Sequence, residues 1–217
     1  MNIIDARATI LTPISENGFF ELKELERIAR TCYKSENHIS DDDTSARNIV
    51  RALINSGHEA MIEHGSVSVR FTVDRGVSHE IVRHRMASFA QESTRYCNYS
   101  NDKFGNELTF IRPYFFEDSA RFSIWLDAMA NAERAYFDLL KTGAKPEEAR
   151  SVLPNSLKTE LIMTANYREW RHFFSLRADS KAHPQMREVA IPLLRDMAKQ
   201  LPIIFDDIAE QKGVDLS

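Results

Sequence analysis

Between Ser66 and Val73 the chain reads SVSVRFTV, with Val67, Val69, Phe71 and Val73 alternating with polar side chains. Period two is the mark of a strand with one face in a core. Helical spacing flanks it. Phe19, Phe20, Leu22, Leu25, Ile28, Ala29 and Cys32 recur as one face of a helix over Phe19–Lys34. Asp41–Asp43 with Thr44 suit the positive end of a second helix, running to Ser56 and stopped by Gly57. Such interleaving predicts an α+β (mixed α/β) chain: a central antiparallel-rich sheet, flanking helices, and some long helices.

The remaining elements follow the same logic. Residues 2–11 alternate loosely as a strand, and Gly76–Arg85 reads as a helix. Glu107–Arg112 is a short strand ended by Pro113, and Ser119–Leu140 a long amphipathic helix. Pro146–Arg150 fits a helix's first turn, Thr159–Thr164 a strand, and Tyr167–Leu176 a helix. Pro184 to Gln211 is largely helical, with breaks or kinks expected at Pro192 and Pro202. No repeat or Pro/Gly/Ser linker interrupts the chain, so residues 1–217 are expected to form one domain.

Charge narrows the function. The net charge of −4 argues against a general nucleic-acid binder, which carries a basic excess. The basic residues are concentrated locally, with five Lys or Arg against two acids over Met163–Arg187. A small anionic ligand would require that concentration. The two cysteines, Cys32 and Cys97, stand in unrelated contexts, which points to a reducing, cytoplasmic compartment with buried or neutral thiols. MNIIDARATIL lacks the form of a secretion leader, and no apolar run approaches the ~20 residues of a membrane span. The sequon at Asn98 is read as chance.

The most informative stretch is RHRMASFAQESTRY, Arg83–Tyr96. Arg83, His84, Arg85, Gln91, Ser93 and Arg95 bring hydrogen-bonding groups for an oxyanion or a heterocycle edge. On a helix, residues two apart point nearly opposite ways, at ~100° per residue. Arg83 and Arg85 would then serve a site shared between subunits, or simply form an exposed basic helix end. His58 and His64 are six apart, and His79 and His84 five, so neither pair suits metal ligation on one helical face. No metal is expected. Ser93 lacks a recognisable base and is read as a binder. The aromatic residues Phe104, Phe110, Tyr114, Phe115, Phe116 and Phe122 fit core packing better than a stacking platform.

Arg83-His84-Arg85 followed after seven residues by Ser93, with Ala87-Ser88-Phe89 between and Arg95-Tyr96 after, resembles the signature of the flavin-dependent thymidylate synthases. Gly57-His58-Glu59 with Glu63-His64 resembles the segment ahead of that signature. Arg150, Leu153-Pro154, Asn166, Arg168, His172 and Leu176–Asp179 resemble its second binding half. Residues 25 to 205 carry the likeness.

The resemblance implies reductive methylation of dUMP to dTMP, with 5,10-methylenetetrahydrofolate as carbon donor and FAD reduced by NADPH. It implies a homotetramer with active sites shared between subunits, and neither nucleic acid nor membrane as partner. It places FAD at Ser35, His58, Ala60, Glu63, Arg83, His84, Arg85, Gln91, Asn166, Tyr167, Arg168 and His172. It places dUMP at Glu80, Ile81, Val82, Arg83, Gln91, Glu92, Ser93, Thr94, Arg95, Arg150 and Arg177, and gives Arg177 the catalytic role beside the uracil. The chain departs from the pattern at Glu80, where an amide is common, and at Ala60, Ala90 and His172. With no GxGxxG loop, side-chain cations must take the anionic groups. A non-catalytic nucleotide- or RNA-binding regulator is the competing reading, and it would need no flavin.

Overall fold

The computed structural model describes residues 1–100, 105–116 and 119–216. In chain order these form β1 (Asn2–Ile4), β2 (Arg7–Ile10), α1 (Phe19–Thr31), α2 (Thr44–Asn55), β3 (Ser66–Asp74), α3 (Arg75–Ile81) and β4 (Ala87–Gln91). There follow β5 (Thr109–Ile111), α4 (Ser119–Lys141), α5 (Pro146–Ala149), β6 (Lys158–Asn166), α6 (Tyr167–Arg177), α7 (Pro184–Gln200) and α8 (Pro202–Gln211). The class is mixed α/β, with helices and an antiparallel sheet of strand order β2-β3-β6-β4.

The chain packs as two compact units, each gathered from three segments. Unit 1 holds Met1–Arg7, Phe71–Arg83 and Phe89–Ile162; unit 2 holds Ala8–Arg70, His84–Ser88 and Met163–Ser217. Neither is contiguous, so no boundary can be drawn along the sequence, and β3 and β6 each continue from one unit into the other.

Unit 1 has a parallel pair, β1 with β5, in register Asn2↔Thr109, Ile3↔Phe110 and Ile4↔Ile111. Leu108 and Phe110 are fully buried against Trp125, Met129 and Tyr136 of α4. Burying such side chains contributes roughly 1.5–3 kcal/mol each. The Trp125 indole donates to Ser156 Oγ at 3.1 Å, so its one polar atom is satisfied.

Unit 2 is dominated by helices. Trp170, Phe173 and Phe174 of α6 are buried in contact with one another, and Phe205 of α8 meets Phe174 edge-on. Trp170 donates to the Val67 carbonyl at 3.0 Å, tying α6 to β3. Gly65 is obligatory here, because a Cβ on it would lie 1.9 Å from the Tyr167 ring.

The structure corrects the sequence reading in several places. The expected strand over 2–11 is two short strands, parted at Asp5-Ala6. Pro192 lies inside α7, where buried Val189, Leu193, Leu194 and Met197 hold the helix, and the break falls at Leu201 before Pro202. Helix α3 ends at Ile81, short of the expected Arg85, and β4 follows at Ala87–Gln91. Arg83, His84 and Arg85 thus lie between a helix and a strand, so the opposed-face argument from helical geometry does not apply. Among the aromatic residues, Phe110 is buried, Phe116 and Phe122 pack against the α4 cluster, and Tyr114 and Phe115 are exposed. Phe104 lies outside the described residues. Of the two cysteines, expected as buried or neutral thiols, Cys32 is exposed and Cys97 half-buried.

Candidate active site

The residues expected at the nucleotide fall, apart from Arg177, within unit 1. Asp74 accepts from the Val77 amide at 2.8 Å and caps α3, which carries Glu80 and Ile81. Ile81 is fully buried and offers a ligand no surface in the single chain, so the contact expected there is not seen, while Val82 is exposed. At the end of β4, Gln91 donates to Ser78 Oγ at 3.0 Å and Thr159 Oγ1 at 3.3 Å. Glu92 spends both oxygens inside the protein. One accepts from the Tyr99 hydroxyl at 2.9 Å, the other from Lys158 Nζ at 2.9 Å and the Glu160 amide at 3.2 Å. Burial, with the Glu92 charge beside it, pushes the Tyr99 phenol well above its usual range.

The turn after β4 is built on Ser93, whose carbonyl accepts from the Tyr96 and Cys97 amides at 3.1 and 2.9 Å. Its hydroxyl accepts from the Arg95 amide at 3.3 Å. Arg150 reaches buried Thr94 Oγ1 at 3.5 Å, and Arg95 lies over the Tyr96 ring and 3.7 Å from Glu147. Tyr99 and Lys158, which hold the Glu92 carboxylate, were not singled out in the sequence reading. Their pairing with Glu92 spans up to 66 residues and leaves no local pattern.

The residues expected at the flavin fall in unit 2, apart from Arg83 and Gln91. Glu63, Met86, Asn166, Arg168 and Glu169 line a cleft of about 250 Å³. A second cleft of about 370 Å³ has Arg168, Arg171, His172 and Glu59 in its wall. Arg168 pairs with Glu63 at 2.6 Å, which raises its pKa further. Asn166 caps α6 by accepting from the Glu169 amide at 2.8 Å, and the Tyr167 ring is buried core. His58 and Ala60 are exposed and Ser35 is half-buried; nothing in their geometry draws them into these clefts.

His84 is the buried member of the signature, only 4% exposed. Its Nδ1 lies 3.0 Å from Glu169 Oε1, and its Nε2 3.1 Å from Arg177 Nε. Burial lowers its pKa below the usual 6.5, and the Arg177 charge adds to this against the pull of Glu169. His84, Glu169 and His172 offer ligand atoms within 4.8 Å of one another. A guanidinium facing His84 Nε2 disfavours a cation there, since Arg carries donors and a fixed positive charge. Glu169 was not foreseen; only its position three residues after the Asn166 cap hinted at order in that turn.

Arg83 and Arg85 are exposed, and among the described residues their guanidinium groups have no ion-pair or hydrogen-bonding partner. Planar guanidinium forks without carboxylate partners suit phosphate and pyrophosphate oxygens. That donor set fits a flavin dinucleotide and a nucleotide monophosphate.

This chemistry, on this fold, is that of a nucleotide-binding α/β enzyme. The profile of the thymidylate synthase complementing protein family (Thy1) matches residues 21–203. A flavin-dependent thymidylate synthase from Mycobacterium sp. (strain KMS) is 33% identical over 204 residues, covering 84% of this chain and 78% of that one. One from Mycobacterium tuberculosis (strain ATCC 25177 / H37Ra) is 34% identical over 200 residues, with the same coverage. The chain belongs to this family, that of the flavin-dependent thymidylate synthases. The crystal structure of the UMP/dUMP methylase PolB from Streptomyces cacaoi, bound with 5-Br dUMP, shares the fold with a TM-score of 0.76, 24% identity and full coverage of both chains.

Proposed function

We propose that the protein methylates dUMP to dTMP reductively, taking the one-carbon unit from 5,10-methylenetetrahydrofolate and using FAD reduced by NADPH. The observation that carries this is the pair of guanidinium groups in the family signature, Arg83 and Arg85, which have no partner among the described residues. Both are open to anions, and family membership supports a flavin dinucleotide and a uracil nucleotide as those anions. In this reading Arg83, Arg85 and Arg168, with His58, Glu63, Asn166 and His172, hold FAD. Glu80, Val82, Gln91, Glu92, Ser93, Thr94, Arg95 and Arg150 hold dUMP, with buried Ile81 supporting the end of α3 behind them.

Carbon 5 of uracil must act as a nucleophile, which requires negative charge to build on the N3–carbonyl edge. Arg177 stabilises that charge, an electrostatic contribution of the oxyanion-hole type. Held by these residues and reduced, FAD would supply hydride chemistry for bringing the one-carbon unit to the methyl level. Ser93 binds phosphate and attacks nothing. The enzyme works in the cytoplasm, with its nucleotide, NADPH and folate substrates.

A homotetramer completes the site. Clefts of about 250 and 370 Å³ lie below and near the bottom of the ~300–1,000 Å³ range of small-molecule sites and hold only part of a dinucleotide. Phe20, Met86 and Ile124 are each more than 70% exposed on the single chain, apolar surface that an assembly covers.

The test is NADPH oxidation by purified, FAD-loaded protein, with and without methylenetetrahydrofolate, offering dUMP and UMP in parallel. The expected outcome is a yellow protein forming dTMP only with all components. A colourless preparation that takes up no FAD would favour the regulator instead.

A further inference from the structure

Glu169 has no place among the residues that the family likeness assigns to ligands, yet it is 11% exposed beside the signature histidine. Glu169, His172, Phe173 and Arg177 recur on one face of α6, at spacings of three, four and eight. His84 lies along that face, its ring 5.6 Å from His172 and 5.0 Å from Phe173. The charged and titratable groups that act on it are Glu169, Arg177 and His172.

The hydrogen bonds fix the imidazole's state. A guanidinium only donates, so His84 Nε2, 3.1 Å from Arg177 Nε, must present a lone pair. The ring proton therefore sits on Nδ1 and is donated to Glu169 Oε1 at 3.0 Å. We propose that Glu169 and His84 are positioning residues that orient the Arg177 guanidinium for the uracil, Glu169 by holding His84 in the tautomer that accepts from Arg177. This rests on the role given to Arg177 above.

Protonating His84 would put an N–H on Nε2, facing the N–H of Arg177 Nε. The row then breaks. Burial, the Arg177 charge and His172 hold the pKa of His84 down, while Glu169 opposes them. Orientation of Arg177 is thus present above the His84 pKa and is lost as pH falls through it.

The experiment titrates dUMP into FAD-loaded protein, following flavin absorbance from neutral to acid pH. In Glu169→Gln the amide oxygen still accepts from Nδ1 but the charge is gone, so the acid loss of dUMP affinity moves to lower pH. In Glu169→Ala affinity at neutral pH falls about tenfold; in an Arg177→Ala background the same change has less than about a twofold effect, as coupled residues require. An unmoved acid limb in Glu169→Gln, or an equal loss with and without Arg177, overturns the proposal. If Glu169→Ala does not fold, the Glu169→Gln limb decides alone. Wild-type protein that takes up no FAD would sink the proposed function, and this proposal with it. A wild-type protein that binds both ligands, with variants that behave like it, sinks only this proposal.

Discussion

Single side chains divide into those that hold the protein together and those held ready for ligands. Arg83 and Arg85 are exposed and spend nothing on the fold. Changing either to Ala is expected to leave stability within about 0.5 kcal/mol of wild type while weakening FAD or dUMP binding at least tenfold. Thermal melts beside ligand titrations check this, and unchanged affinities would remove both from the site. Arg177→Ala is expected to keep FAD bound and lose about a hundredfold or more of dTMP formation, as removal of an oxyanion-type donor does. Wild-type turnover in that variant would refute its role. Arg171 is the contrast. It is buried and donates to both oxygens of Asp207 at 2.7 Å, to Glu59 at 3.1 Å and to the Ile204 carbonyl at 2.5 Å. Arg171→Ala is expected to cost about 3–5 kcal/mol, because Asp207 would be left without its partner. Burial alone would raise the Asp207 pKa, but the Arg171 hydrogen bonds and charge outweigh it and hold it below 3.8. The pair's contribution is therefore full above that value and is lost as pH falls through the lowered pKa. Denaturation midpoints across the acid range, compared with Asp207→Asn, test the sign.

At the level of elements, the sequence was most legible where one face meets a core. The alternation of Val67, Val69, Phe71 and Val73 became β3, and the helical spacing from Phe19 became α1. β4 escaped notice because ASFAQ is half-buried and exposed in turn, with no strongly apolar face to announce it. The signature's residues were legible by kind and not by conformation. Arg83, His84 and Arg85 take their positions from the end of α3 and the start of β4, and local propensity decided neither. Contacts such as Glu92 with Lys158, or His84 with Glu169, join residues far apart in sequence and were invisible for that reason. Caps are testable here. Asp74→Ala removes the acceptor for the Val77 amide and is expected to cost α3 about 1 kcal/mol, read as a shift in denaturation midpoint. Gly65→Ala drives a methyl into the Tyr167 ring and is expected to cost about 1–3 kcal/mol, since that ring is buried.

Over the whole chain, the residues expected at the nucleotide gather mainly in unit 1 and those expected at the flavin mainly in unit 2. The signature crosses from one to the other between Arg83 and His84. Because both units are stitched from separated segments, the order of translation bears on how the protein is made. Every residue of unit 1 has been joined to the chain once Ile162 is added, whereas Ala8–Arg70 must wait for Met163 onward before the rest of its unit exists. α1 and α2 can pack on each other early, but the apolar surface that α2 turns to α8 stays uncovered while the last quarter is synthesised. That interval is when chaperone engagement or self-association would claim it.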